Sequence, residues 1–348
     1  MTDPLYVAAR GVLLDALDAL GEQREALILA GAQAIYVHTG TADLAVAEFT
    51  TDGDLVIVPD QLKPYPRLSD AMERAQFRSG SQPGSWLCER TIAGVPTTIP
   101  VDLLVPEAAA GAGRRAARLG DHGDRAGRRV RGLEGTLVDH SVMRLTALDD
   151  DDRREFEIRV AGPSALLVAK LHKLADRSGE REARRLKDKD ALDVLRLLRA
   201  IPIERLARGF RELGGSAVAG DVTREAIAHL QTFFGTTTST GTVMVVRATE
   251  RLEEPGVIAE SCVALADDLI KALRSISSNA LSADAPTTAR PSGARCAGQD
   301  REAPQGSLDA HQRSRIIAGR SDARWLVMAR ATIKRDWREQ SDCAPPRV

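Results

Sequence analysis

Three aspartates occupy positions where a carboxylate is unfavourable, either because another carboxylate is close by or because the surroundings are apolar. Asp52 and Asp54 are separated by one residue at the head of the apolar run LVIV. Because side chains alternate across a strand, both carboxylates are expected on the same face. The third, Asp102, lies within TTIPVDLLVP, which predicts a buried strand that ordinarily excludes charge. Neighbouring carboxylates repel each other unless a divalent cation binds between them, and such hard oxygen ligands suit Mg²⁺.

Each aspartate also has a simpler explanation when it is taken alone. Asp52, Gly53 and Asp54 are favoured turn residues, and Asp102 could cap the end of a strand.

The lysines are concentrated in one part of the chain. The sequence contains 41 Arg but only 7 Lys, and four of the seven lie between Lys170 and Lys189, the others there being Lys173 and Lys187. On a helix from Pro163 to about Arg177, Lys170 is expected at the edge of the apolar stripe. Its ammonium is predicted either to extend from the apolar face into water or to enter a cleft and bind a triphosphate as a compact charge. In the second case, Lys170→Met should weaken triphosphate binding with little loss of stability.

The elements that would position these side chains are of two kinds. Strands and helices are mixed over the first 105 residues, where ALILAGAQAIYVH predicts a buried strand, a turn at Gly31 and the start of a helix. From Pro163 to about Leu273 the pattern is mostly helical. The other predicted elements are helices over Tyr6–Leu20 and 64–80, and strands around Trp86–Ile92, through VPTTIPVDLLVP and near FEIRV.

The sequence therefore predicts an α+β fold in three parts. Residues 1–160 form a catalytic domain around a mixed sheet, residues 161–274 form a helical domain that completes a cleft, and residues 275–348 form a disordered tail rich in Ser, Ala, Pro and Gly. Between the two domains, residues 107–134 contain seven Arg and four acids. This Gly-rich basic segment is predicted to be either a mobile clamp on a phosphate backbone or a solvated loop.

The order of these motifs resembles that of the nucleotidyltransferase superfamily, and in particular the AbiEii-type nucleotidyltransferase toxins. The resemblance rests on a strand followed by Gly31-Ala32, on D-x-D, on a later Asp, and on A-K-L-x-K-L-x-x-R followed by K-D-x-x-D-V-x-x-L-L. It covers roughly residues 5–274. Lys187-Asp188 also reads KD, but Lys189-Asp190 is preferred because Asp193 follows it at the required spacing.

The resemblance implies a reaction and a set of residue roles. The chain would transfer a nucleoside monophosphate from a nucleoside triphosphate to an acceptor hydroxyl, with an RNA such as a tRNA 3′ end as acceptor and a cognate antitoxin protein as partner. Asp52, Asp54 and Asp102 would bind Mg²⁺, and Asp102 would also accept the hydroxyl proton. The backbone amides of Gly31 and Ala32 would hold the phosphates, aided by Lys170, Lys173 and Lys189, with Asp190 in the catalytic set.

Two other functions stay open at this point. A small-molecule transferase of the aminoglycoside-modifying kind would use the same metal site. A non-catalytic nucleotide-binding module would be consistent with Ala32, where the superfamily usually has Gly or Ser, and with the long spacing between Gly31 and Asp52.

Composition limits where the chain works and what it binds. With 48 basic and 49 acidic residues, the whole chain has no net attraction to nucleic acid or to anionic membranes. The apolar runs are too short for a membrane span, and the acidic start is unlike a signal peptide. The four cysteines form no CxxC pair. These features predict a soluble cytoplasmic protein.

Overall fold

A computed structural model describes residues 3–40, 50–178, 188–250 and 252–282, all of which belong to one compact unit, Met1–Pro286. The final helix runs to Ser282, beyond the predicted domain end at residue 274. The rest of the predicted tail lies outside the described residues. In the described ranges, no helix is both long enough and apolar enough to cross a membrane.

The first part of the chain is built on one mixed sheet. Its strands are β1 (Leu27–Ala30), β2 (Gly53–Ile57), β3 (Arg78–Ser79), β4 (Ser85–Ile92), β5 (Val95–Pro106), β6 (Arg128–Val130), β7 (His140–Thr146) and β8 (Glu155–Ala161). The strand order is β3-β4-β5-β2-β1-β8-β7, and β6 pairs with β5 beside this path. The pairs β1/β8, β2/β5 and β5/β6 are parallel, whereas β1/β2, β3/β4, β4/β5 and β7/β8 are antiparallel.

Three helices accompany this sheet: α1 (Pro4–Ala19), α2 (Gly31–Thr39) and α3 (Leu68–Arg74). Helix α1 begins where the Asp3 carboxylate accepts a hydrogen bond from the Leu5 amide, and Pro4 fits the first turn because a proline needs no amide partner there. It packs on β2, β4 and β5. Helix α2 begins directly after β1, so the tight connection at Gly31 places the N-terminus of the helix at the end of the strand.

The second part consists of helices that pack onto the first part through α2. They are α4 (Pro163–Arg177), α5 (Asp188–Ala200), α6 (Ile203–Gly215), α7 (Gly220–Phe234), α8 (Thr240–Thr249) and α9 (Pro255–Ser282). Tyr36 of α2 lies with its ring centroid 5.1 Å from the guanidinium carbon of the buried Arg196, and α2 contacts both α4 and α5. One apolar core continues from the sheet into these helices.

The structure confirms the predicted fold class, a mixed sheet with helices followed by a mostly helical part. The helix expected over residues 64–80 is shorter, because Pro64 and Pro66 lack amide hydrogens and disfavour helix before Leu68. Three strands were not predicted: β3, which lies within the stretch expected to be helical, β6 and β7. Strands β3 and β6 are too short to show a pattern, and in β7 the adjacent Val142 and Met143 break the alternation.

The end of the basic segment, residues 128–131, is tied into the protein, whereas Arg114, Arg115, Arg118 and Arg125 are exposed. Strand β6 pairs with β5 in parallel, and its arginines form ion pairs within the protein. Arg129 pairs with Glu107, and Arg131 pairs with Glu107 and Glu225. Because these cations are already neutralised by protein carboxylates, they are poorly placed to bind a phosphate backbone.

Since the sheet and the helices share one core, we expect them to unfold in a single transition. The test uses a variant with Trp325→Phe and Trp337→Phe, which leaves the buried Trp86 of β4 as the only tryptophan. Its fluorescence should report the sheet, while far-ultraviolet circular dichroism is dominated by the helices. The two denaturation midpoints should coincide; separated midpoints would mean that the two parts fold independently.

Candidate functional site

The sheet brings two of the predicted aspartates side by side. In the parallel pair β2/β5, Asp54 lies opposite Asp102, and in the antiparallel pair β1/β2 it lies opposite Ala30, the residue before Gly31. A Cβ atom on Gly31 would lie 1.9 Å from Asp54 Oδ2, and Gly31 has φ +66°. A residue with a side chain is therefore excluded here by both contact and conformation. The free first-turn amides of α2 begin next to this carboxylate.

Asp52 is held immediately before β2 by contacts to its side chain and its backbone. The Thr50 hydroxyl donates to Asp52 Oδ1 at 2.5 Å, and the buried Gln33 amide donates to the Asp52 carbonyl oxygen at 3.0 Å. From the helical part, Lys189 Nζ donates to Thr50 Oγ1 at 2.8 Å and lies 4.0 Å from Asp52 Oδ1. The start of α5 is thereby connected to the start of β2.

The two carboxylates of the D-x-D pair have opposite electrostatic surroundings. Burial and the charges of Asp52 and Asp102 raise the pKa of Asp54 to about 6. Burial acts in the same direction on Asp52, but Lys189, Lys173 and the Thr50 hydrogen bond outweigh it and hold the pKa of Asp52 below its usual value. Among the described residues, Asp54 takes part in no ion pair. It is the carboxylate of this site whose negative charge is least compensated.

Asp102 has a partner that the sequence analysis did not identify. Arg128 Nη2 lies 2.5 Å from Asp102 Oδ2, and Arg128 Nη1 donates to the Gln82 side-chain oxygen at 3.1 Å. Both members of the ion pair are largely buried. In the sequence, Arg128 is one arginine among seven in the basic segment, and only the parallel pairing of β6 with β5 distinguishes it from the others.

The three aspartates suit a divalent cation in donor chemistry and in charge. Their oxygens are of the kind that Mg²⁺ prefers, and a cation would relieve the repulsion that raises the pKa of Asp54. The oxygens of the three aspartates do not all lie close enough together to share one ion. Within the described ranges, the three ligand atoms that lie within 4.8 Å of one another belong to a different group of residues. Asp52 and Asp54 are therefore the better-placed ligands, and Asp102 would join them only by leaving Arg128.

Lys170 differs from both predicted arrangements. It neither extends into water nor enters an open cleft, because it is only 4% exposed and its ammonium is enclosed by carboxylates. Lys170 Nζ lies 2.6 Å from Asp193 Oδ2 and 3.4 Å from Asp190 Oδ1. Burial alone would lower the pKa of Lys170, but these two aspartates outweigh it and raise the pKa above its usual value. The expectation of an ammonium free to meet a triphosphate is corrected accordingly.

Asp190 is the centre of this charged cluster. Besides Lys170, it contacts Lys173 Nζ at 3.2 Å and Arg177 Nη1 at 2.5 Å, and these cations overcome the effect of burial and lower its pKa strongly. Asp188 pairs instead with Arg247 of α8. The preferred register, Lys189-Asp190 with Asp193, is thus the one that contacts Lys170. Lys187 lies outside the described residues.

The cations that remain accessible are Lys173 and Lys189. Their side chains are 36% and 31% exposed, in contrast to Lys170. Ala32 is buried in the first turn of α2, where it can offer only its backbone. Thr50 was not identified from the sequence, in which no signal separates it from the neighbouring Thr51.

No protein-family model matches the chain, and no curated protein matches it. The resemblance to nucleotidyltransferases therefore depends on the residues themselves and on their arrangement.

The burial of Lys170 changes what its substitution should do. We expect Lys170→Met to lower the free energy of unfolding by about 3–5 kcal/mol, because Asp193 would be left buried without a cation. Chemical denaturation would measure the loss. Lys271→Met, which removes an exposed lysine of α9, should leave the free energy of unfolding nearly unchanged.

A double variant tests whether the loss of stability comes from the unpaired buried charge. Adding Asp193→Leu to Lys170→Met should recover at least half of the lost stability, since both buried charges are then gone. If Lys170→Met is as stable as the wild-type protein, the buried ion pair is not formed.

The raised pKa of Asp54 predicts the sign of a pH effect on stability. In the unfolded chain Asp54 ionises near its ordinary pKa, whereas in the folded protein it holds its proton up to about pH 6. Its ionisation therefore costs the folded state stability as the pH rises through about 4 to 6. Asp54→Asn should stabilise the metal-free protein by about 1–2 kcal/mol near pH 8 and have little effect near pH 4.

Thermal unfolding in chelator at the two pH values would measure this difference. Asp70→Asn, at an exposed position of α3, is the matched control and should show no pH-dependent gain. A stability loss for Asp54→Asn near pH 8 would contradict the repulsion between these carboxylates.

Proposed function

We propose that the chain is a Mg²⁺-dependent nucleotidyltransferase that transfers a nucleoside monophosphate from a nucleoside triphosphate to a hydroxyl of an RNA, with release of pyrophosphate. The observation that carries the proposal is the position of Asp54 between the Gly31 turn and Asp102 on adjacent strands. This arrangement combines a helix N-terminus suited to phosphate with acidic oxygens suited to Mg²⁺. The resemblance in motif order supports the same activity.

In this proposal, Asp52 and Asp54 would hold Mg²⁺, with Asp102 as the third ligand. The metal would neutralise phosphate charge and stabilise the attacking and leaving oxygens. Asp102 would also accept the proton of the attacking hydroxyl. The partial burial of all three aspartates favours this chemistry, because charge interactions are stronger where water is largely excluded.

The phosphates of the nucleotide would contact the accessible cations. Lys173 and Lys189 project from α4 and α5, and Lys189 already reaches Thr50 beside Asp52. Lys170 has a different role in the proposal, because its ammonium is enclosed by Asp190 and Asp193. It positions the two helices rather than binding phosphate, and Asp190 anchors Lys173 and Arg177.

The biological role that accompanies this activity is that of a toxin restrained by a cognate antitoxin protein, acting on an RNA such as a tRNA 3′ end in the cytoplasm. It rests on the resemblance to AbiEii-type toxins described above. Expression of the active chain should then slow growth, whereas an inactive metal-site variant should not.

The direct test is transfer of label. The purified chain is incubated with total RNA, Mg²⁺ and each α-³²P-labelled nucleoside triphosphate in turn, and label should appear in RNA. Asp54→Ala should reduce transfer by about 100-fold or more, because it removes a ligand for the charge-stabilising metal. Asp70→Ala should retain wild-type transfer.

The other outcomes are distinguishable. Label found on an aminoglycoside but not on RNA would replace the RNA acceptor with a small molecule. Nucleotide binding without Mg²⁺-dependent transfer to either acceptor would identify a binding module and overturn the enzymatic proposal.

A further inference from the structure

A second group of potential metal ligands lies in the helical part. His172 of α4 and Glu225 and His229 of α7 each offer one ligand atom, and these atoms lie within 4.8 Å of one another. Glu225 and His229 are four residues apart on one helix, so they share a face one turn apart. His172 faces them from the packed neighbour α4. The rings of the two histidines meet edge to face with centroids 5.2 Å apart.

The orientation of His172 is fixed in a way that leaves a ligand atom available. Its Nε2 lies 2.8 Å from the Val222 carbonyl oxygen, which can only accept a hydrogen bond. Nε2 therefore carries the proton, and in the neutral ring Nδ1 presents its lone pair to Glu225, whose Oε2 lies 4.0 Å away. On the other side, a Cβ atom on Gly132 would lie 2.5 Å from His172 Cβ, so close packing also restrains the ring.

Glu225 is held by a further residue. Arg131 donates from Nη2 to Glu225 Oε1 at 2.6 Å and from Nε to Oε2 at 3.2 Å. A histidine whose second nitrogen donates to a carbonyl, together with a carboxylate that is itself hydrogen-bonded, is the surrounding that metal ligands commonly have. Each oxygen of Glu225 retains a lone pair for a metal. Without a metal, Arg131 and Glu225 would form only a half-exposed ion pair.

We propose that His172, Glu225 and His229 bind a divalent transition metal of the Zn²⁺ type, which cross-links α4 to α7. Two imidazoles and one carboxylate are a borderline-soft ligand set that suits Zn²⁺ and is unlike the all-oxygen set of the aspartates. The site is independent of the proposed transferase activity. It would fix α4, which also carries Lys170 and Lys173, against α7.

The metal requires only a small adjustment of the side chains. With bonds of about 2.0–2.2 Å, two ligand atoms of a tetrahedral zinc site lie roughly 3.3–3.5 Å apart. The 4.0 Å between His172 Nδ1 and Glu225 Oε2 must therefore shorten slightly. Glu225 can make this movement, because its side chain is 44% exposed whereas that of His172 is 3% exposed. Solvent would supply the fourth ligand.

The experiment is a calorimetric titration of the full chain with Zn²⁺ in excess Mg²⁺, which occupies oxygen sites. One Zn²⁺ should bind per chain, and Zn²⁺ should raise the melting temperature. His229→Ala should weaken binding by more than the roughly 10–100-fold expected when a ligand merely loses its hydrogen-bond partner. It should also abolish the rise in melting temperature.

The variants are chosen to distinguish Zn²⁺ binding at this cluster from Zn²⁺ binding to histidines elsewhere in the chain. His229 is only partly buried, so its replacement should leave the fold intact, which His172→Ala would not ensure. His140→Ala removes a histidine of β7 outside the cluster and should bind Zn²⁺ as the wild-type chain does. A Co²⁺-substituted sample should show the intense visible bands of a tetrahedral site, again lost in His229→Ala. Absence of Zn²⁺ binding, or equal binding by His229→Ala, would overturn the proposal.

Discussion

An ammonium group with almost no access to water is stable only where carboxylates replace its hydration, and Lys170 satisfies this condition through Asp193 and Asp190. The interaction joins α4 to α5 inside the protein. Since Lys189, the second residue of α5, reaches Thr50 beside Asp52, the same interaction sets how the helices approach the acidic strands. The candidate site thus depends on a buried charge cluster that does not itself face substrate.

The acidic strands and the basic helices affect each other's titration. Lys189 helps to hold the pKa of Asp52 below its usual value, whereas Asp54, two residues later, has no ion pair with a described residue, and burial raises its pKa to about 6. Lys189 is affected in turn, because burial outweighs the attraction of Asp52 and lowers its pKa. The position of α5 therefore decides which of two nearly adjacent carboxylates is the better proton acceptor. A change in helix packing would alter acid–base behaviour on the sheet without altering any aspartate.

Local sequence signals predicted the elements that local interactions form. The strand, the turn at Gly31 and helix α2 were predicted correctly because apolar periodicity and a glycine mark them within thirteen residues. Strand β5 also agrees with its prediction at both ends. The alignment of Asp54 with Asp102 was not predictable in the same way, because it requires β2 and β5 to be parallel neighbours, and no pattern within either strand specifies its partner.

Long-range electrostatics was the part that the sequence could not give. The cluster of lysines was visible, but whether Lys170 faces water, phosphate or carboxylate depends on how α5 packs against α4. The roles of Arg128, His172 and His229 could not be recognised from the sequence either, since their partners come from other elements.

The contact between Lys189 and Thr50 spans 139 residues, and this distance along the chain sets an order of assembly. During synthesis Asp52 emerges long before Lys189, so its carboxylate lacks this cation until α5 leaves the ribosome. The emerging protein can complete its charge pairs only at that late stage.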